Sequence, residues 1–277
     1  MFNLKRSDRI RDRFIRSLTQ ICLGFCLLAL LAIVVFILGR GLPHINLQLL
    51  FGDYGRYPSL KPAFAGTMNL VLLSLGIAAP IGIGSALYLS EFARRKTPML
   101  GILRLATETL AGIPSIVYGI FGYLVFVVAL RLRYTLLGGG ITLAIMILPV
   151  IIRSTEESLI AVPDALREGS LALGASKRRC IFSVVLPAAK SGIMTSLVLS
   201  IGRVLSESAV LILTIGMVVN KMPKTLLSPG TSLALDIYYF STQGYPEAAA
   251  ASGGVLLVLV AAINLLAMFL SKSWDRE

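Results

Sequence analysis

One histidine and three cysteines are all that this 277-residue chain offers to a borderline metal. His44 has no acid or cysteine arranged as a partner, and Cys22, Cys26 and Cys180 have no histidine at metal-ligand spacing, so a zinc centre is excluded. The cysteines read as packing residues and His44 as a solvated loop residue. A GxxxxGK[ST] phosphate loop is missing, which assigns any coupled ATP hydrolysis to another chain, and an HExxH zinc helix is missing too. An intramembrane hydrolase is left with Glu207 as its last candidate acid. Charge is also scarce: Asp, Glu, Lys and Arg make up 14% of residues against 56% hydrophobic, with a mean hydropathy of +0.83. That leaves too little polar surface to coat a soluble globule, so lipid has to be the second solvent.

What the chain does have is long apolar runs. Crossing about 30 Å of hydrocarbon at 1.5 Å per residue takes roughly 20 residues, and runs of that order occupy 18–38, 64–90, 105–130, 136–152, 193–219 and 248–270. The expectation is an all-α membrane protein with about six transmembrane helices in a single domain, 1–277. The first run lacks a small-residue cleavage site and exceeds a signal h-region, so it is expected to be retained, with the mature chain starting near Met1. Ala78, Gly82 and Ala86 recur every four residues and suit close helix packing in lipid. Pro80, Pro114 and Pro149 are expected to kink their helices.

The net charge of +12 invites a nucleic-acid reading until its placement is examined. The N-terminal tail (Lys5, Arg6, Arg9, Arg11, Arg13, Arg16), the second and fourth loops and the C-terminus hold 18 basic residues; the opposite face holds seven, Arg40, Arg56, Lys61, Arg131, Arg133, Lys221 and Lys224. By the positive-inside rule both termini are cytoplasmic, and nucleic acid drops out as a partner.

Arg203 and Glu207 stand four residues apart in the fifth run, hence on one face of a continuous helix. Burying each costs roughly 2.5–3.5 kcal/mol on the insertion scale, so both face protein or water. Two readings are open: a neutralising ion pair that fixes helix rotation, or a planar donor fork for an anionic solute with a competing carboxylate beside it. Glu108 is either another buried acid or, as its proximity to Arg104 favours, half of an interfacial ion pair.

Two polar segments exceed ordinary connections, cytoplasmic 153–190 and external 220–247. The first contains an amphipathic stretch with Leu166, Leu171 and Leu173 set against Arg167, Glu168 and Lys177. A short helix presented to the cytoplasm is expected there; the alternative is an interfacial helix with Lys177, Arg178 and Arg179 on anionic headgroups.

Glu168, Gly169, Ser170, Gly174, Val184, Leu186 and Pro187 in REGSLALGASKRRCIFSVVLPAA resemble the coupling loop of ABC importer permeases. With TETLAGIPSIVYGIFG at 107–122, the chain is similar over nearly its whole length to the A-type (PstA) permease family of phosphate-specific ABC importers. That family carries its arginine and glutamate in a Gly-Glu-Thr-Ala-Pro setting, whereas here Ser206, Ser208 and Val210 replace Gly, Thr and Pro.

The resemblance implies a type I ABC importer permease (MetI-like) fold in a bacterial inner membrane. It implies a substrate pathway at Arg203 and Glu207, and ATPase coupling through Glu168, Gly169, Ser170, Gly174, Leu186 and Pro187. It further implies a second permease (PstC-like), two ATP-binding subunits (PstB-like) that hold ATP and Mg, and an external phosphate-binding protein (PstS-like), with no cofactor and no catalysis on this chain. Sulfate, molybdate or another solute as cargo, or an ion-coupled carrier, are the rival expectations.

Overall fold

The computed structural model describes residues 6–53, 55, 58–92 and 98–274, with side chains placed for 12–53, 55, 58–92 and 101–269. Of the basic residues used for topology, Lys5, Arg56, Arg94, Arg95, Lys96 and Arg276 lie outside the described residues, as do the side chains of Arg6, Arg9, Arg11 and Lys272.

The described residues are helical, with no strand among them. α1 (Arg6–Gly41) is followed by a 3₁₀ turn and the short α2 (Leu47–Phe51), which Asn46 caps by accepting the Leu49 N–H at 2.7 Å. α3 (Lys61–Leu87) ends in a π turn, Tyr88–Phe92. α4 (Pro98–Ala111) and α5 (Ser115–Gly122, continued by a π turn to Ala129) precede α6 (Leu136–Ile160). The loop expected to be cytoplasmic forms α7 (Asp164–Ala172), α8 (Lys177–Cys180), a π turn over Ile181–Val185 and α9 (Leu186–Ala188). α10 (Lys190–Leu205), α11 (Ala209–Thr214), α12 (Leu233–Thr242) and α13 (Pro246–Trp274) complete the chain.

Four helices are long and apolar enough to cross a membrane, and six when each of two bent pairs is taken as one span. The expected third and fifth spans are therefore not straight helices. The third turns by 97° between α4 and α5, where Pro114 removes a backbone donor and holds an extended ψ of 139°. The fifth is bent by 63° at its start, between α9 and α10, and its helix stops at Leu205. Pro80 and Pro149, by contrast, stay inside continuous helices. The expected external loop 220–247 is also more than a loop, because α12 folds back against α13 and α3 with Leu233, Leu235 and Phe240 fully buried.

α6 is the axis of the bundle, with Leu143, Met146, Ile147 and Ile151 buried among α3, α10 and α11. The small residues allow this. Ala78 and Ala86 are buried on α3, and a Cβ on Gly82 would lie 2.6 Å from Ile151. Gly139 and Gly140 likewise sit against Ile215 and Leu73, so helices that gain nothing from excluding lipid approach by dispersion contact. The apolar window of α1 has no buried residue, which leaves it to lipid or a partner.

Candidate functional site

In the fifth span, Arg203 occupies the last turn of α10, half-buried, and Glu207 lies beyond the end of that helix. The single helical face expected for the pair does not exist, and no ion pair joins them. Local chemistry explains the break. The Ser206 hydroxyl donates back to the carbonyls of Gly202 (3.0 Å) and Arg203 (3.2 Å), while Glu207 Oε1 accepts the Val210 N–H at 3.1 Å and so caps the first turn of α11. Side chains that satisfy backbone groups compete with the helical ladder, and the SES triplet was the available sequence signal. Among the described residues the Arg203 guanidinium makes no hydrogen bond or ion pair.

The break in the third span comes to the same place. Gly119 of α5 lets α11 approach so closely that a Cβ there would sit 3.1 Å from the Val210 Cα. Tyr118 is buried beside Val204 and Val210 and donates its hydroxyl to the Leu110 carbonyl at 2.7 Å, tying α5 to α4 across the bend. Unwound backbone at membrane depth is tolerated only where protein or water covers it, which sets this corner apart from the lipid-facing surface.

The residues expected to form the coupling loop fall on α7 to α9. Glu168 and Gly169 are exposed on α7, with Ser170 partly covered. Gly174 terminates α7 at φ +83°, with its N–H on the Leu171 carbonyl and the Ala175 N–H on the Ser170 carbonyl, a glycine C-cap. Leu186 and Pro187 lie in α9, just before the 63° bend into α10.

Of the amphipathic segment, Leu166, Leu171 and Leu173 are exposed, Leu173 at 91%, as are Glu168 and Lys177, while the Arg167 side chain turns inward. Sequence reasoning missed what Arg167 does there: its guanidinium donates to Glu91 (2.9 Å), to Asp164 (3.2 Å) and to the carbonyls of Val162 (2.5 Å) and Leu159 (2.7 Å).

Glu108 is ion-paired, but with Arg153 at 2.7 Å rather than Arg104, which instead meets the buried Glu156 at 2.5 Å. The true partners are 45 and 52 residues away in sequence, beyond the reach of local spacing. A further buried acid, Asp236 on α12, lies outside the spans. Its Oδ1 accepts from Thr231, its Oδ2 is buried without a partner among the described residues, and burial pushes its pKa up to about 7. His44 remains exposed, 3.8 Å from Glu247, and no cluster of metal-ligating residues occurs among the described residues.

Comparison with known proteins fits this architecture. Residues 78–276 match the family described as binding-protein-dependent transport system inner membrane component. The chain is 34% identical to the phosphate transport system permease protein PstA of Yersinia pestis, over 94% of this chain and 89% of that one. It is 31% identical to the phosphate transport system permease protein PstC of Xylella fastidiosa (98% and 93%) and 29% identical to the probable ABC transporter permease protein YqgI of Bacillus subtilis (96% and 95%).

Among solved structures, a bacterial alginate ABC transporter in complex with its alginate pentasaccharide-bound periplasmic protein aligns with a TM-score of 0.67 at 17% identity, covering 96% of both chains. The inward-facing MetNI methionine transporter aligns at 0.62 and 17%, covering 78% of this chain and 95% of that one. The exposed loop helix, the two broken spans that meet at Tyr118 and Val210, and a match over most of the chain agree: this protein belongs to the binding-protein-dependent transport system inner membrane component family, the membrane permeases of ABC importers.

Proposed function

We propose that this chain forms half of the translocation pathway of an ATP-driven inorganic phosphate importer in a bacterial inner membrane, with both termini cytoplasmic. The observation that carries the reading is Arg203: a guanidinium in the membrane-spanning bundle with no hydrogen-bond or ion-pair partner among the described residues, at a corner where two spans are broken. A planar donor fork of this kind suits a tetrahedral oxyanion. Glu207, close in sequence but held on the Val210 N–H, supplies negative charge that keeps the oxyanion from being trapped.

The partners follow from the same reading: a second PstC-like permease that completes the pathway, two PstB-like ATPase subunits that hold ATP and Mg, and an external PstS-like phosphate-binding protein. The outward leucines of α7 with Glu168, Gly169, Ser170 and Gly174 form the docking face for one ATPase subunit, and Leu186 and Pro187 lead its motion into α10. ATP closes the ATPase pair, α7 moves, and the bundle opens outward to receive phosphate. This chain makes and breaks no covalent bond and binds no cofactor.

A second cargo is favoured by one observation, the replacement of the family's Gly, Thr and Pro by Ser206, Ser208 and Val210 around Glu207. Sulfate, molybdate or another solute is the alternative on that ground. The deciding measurement is radiolabelled phosphate uptake, with sulfate as competitor, in cells deleted for this gene and then restored. Loss and return of uptake, insensitive to sulfate, supports phosphate; unchanged uptake on deletion overturns it and leaves the permease architecture with another cargo.

A further inference from the structure

α7 is attached to the rest of the protein in an unusual way. The helix contributes no buried residue of its own. The apolar cluster beneath the loop is built from Ala86 and Leu87 of α3, Leu159 of α6, Val162, and Cys180, Ile181 and Val185 downstream, with no α7 side chain in it. A cleft of about 600 Å³, lined by Ser90, Glu91, Ile160, Arg167, Lys177 and Ile181 among others, separates α7 from the ends of α3 and α6. Arg167 crosses that gap. Its Nε and Nη2 donate to Glu91 on the π turn that ends α3, Nη2 also to the Leu159 carbonyl in the last turn of α6, and Nη1 to the Val162 carbonyl just beyond it. The Arg167 and Glu91 side chains are only 17% and 10% exposed, so this pair keeps more of its Coulomb energy than a surface pair would. Two further contacts hold the same joint: Cys180 Sγ approaches the Arg167 carbonyl at 3.8 Å, and Lys177 lies over the Phe92 ring at 5.1 Å.

We infer that Arg167 is the positioning residue that transmits motion of α7 to the cytoplasmic ends of α3 and α6, acting through Glu91 and the Leu159 and Val162 carbonyls; the inference rests on the coupling role proposed for α7. A helix held by packing would slide or rock against its neighbours. A helix held by one multidentate guanidinium carries its neighbours with it, because displacement would take the guanidinium's donors away from the largely buried Glu91 carboxylate and from the Leu159 and Val162 carbonyls. Lysine substitutes only in part, since a single ammonium keeps the charge but does not span these acceptors in a fixed fork.

The test uses the whole complex, this permease with its second permease and ATPase subunits in proteoliposomes. It reads ATP hydrolysis with and without phosphate-loaded external binding protein, a signal that must cross the membrane and pass through α7. For Arg167→Ala, Arg167→Lys and Glu91→Gln the complexes are expected to co-purify intact and keep their basal hydrolysis. Stimulation by the binding protein should fall at least about five-fold in Arg167→Ala, the lower end of typical coupling between sites, and by less in the other two. Unchanged stimulation in Arg167→Ala overturns the inference. So does loss of assembly or of basal hydrolysis in all three variants, which would make the contact purely structural. If the wild-type permease neither binds an ATPase subunit nor responds to the binding protein, the coupling reading of α7 itself has failed, an outcome separate from both.

Discussion

Two arginines divide the molecule. Arg167, on α7, donates to four acceptors. Arg203, within the bundle, donates to none among the described residues. The environment would suggest the reverse, because an unpaired charge costs most where water is least available. An arginine saturated by its own chain is a structural joint and can move nothing but its neighbours. One left open by its own chain is available to something from outside it, a solute, water or the second permease. The same chain has built a rivet at one end and an open fork at the other.

Removing the open fork should have the largest effect. Arg203→Ala is expected to reduce phosphate uptake by roughly a hundred-fold or more, since a charge-assisted bidentate contact is worth several kcal/mol once desolvated. The four subunits should still co-purify, because no hydrogen bond or ion pair among the described residues depends on that guanidinium. Uptake assays beside pull-down of the ATPase subunit separate the two. Normal uptake would remove Arg203 from the pathway, and lost assembly would make it a structural residue like Arg167.

The outward face of α7 offers an intermediate effect. Leu173 is 91% exposed and no neighbour lies within 4 Å of a Cβ placed on Gly174, so the space around both positions is open in this chain. Leu173→Asp is expected to weaken ATPase docking about ten-fold or more, as the loss of a buried apolar anchor does at interfaces, with the thermal stability of the isolated permease unchanged. Gly174→Val adds a left-handed backbone penalty of about 1–2 kcal/mol at φ +83° and should uncouple hydrolysis from uptake. Binding measured by surface immobilisation of the permease complex would show whether the exposed leucines belong to an interface; equal affinity would return them to the membrane surface.

Hydropathy made the spans legible, because the cost of burying backbone in lipid acts on about twenty residues at once. It could not show the breaks. An averaged window is blind to Ser206, Glu207 and Ser208, whose hydrogen bonds end α10, and Pro114 looks in sequence like Pro80 and Pro149, which stay inside their helices. The coupling-loop residues were legible as a motif. The inward turn of Arg167 was not, because its carboxylate partner Glu91 is 76 residues away in sequence. Ion pairs were the least legible: Arg104 and Glu108 are neighbours on α4, yet each prefers a separate acid or base presented by α6.

The smallest expected effect is at Asp236, a third kind of buried ionisable group, neither saturated nor open. One carboxylate oxygen accepts from Thr231 and the other is enclosed without a partner, beside α3, whose Thr67 hydroxyl holds the Leu233 N–H at 3.0 Å. Burial raises its pKa from 3.8 to about 7, so the folded protein binds a proton that the unfolded chain has already released. The corresponding stability is fully present below pH 4 and is lost as pH rises through about 7. Asp236→Asn removes the charge and keeps the shape. It should leave the melting temperature of the detergent-solubilised complex little changed at pH 5, raise it by a few degrees at pH 8, and flatten the slope between. Parallel pH profiles for wild type and variant would mean that the carboxylate finds a donor in the assembled complex, and that Asp236 belongs with Arg167 among the saturated groups.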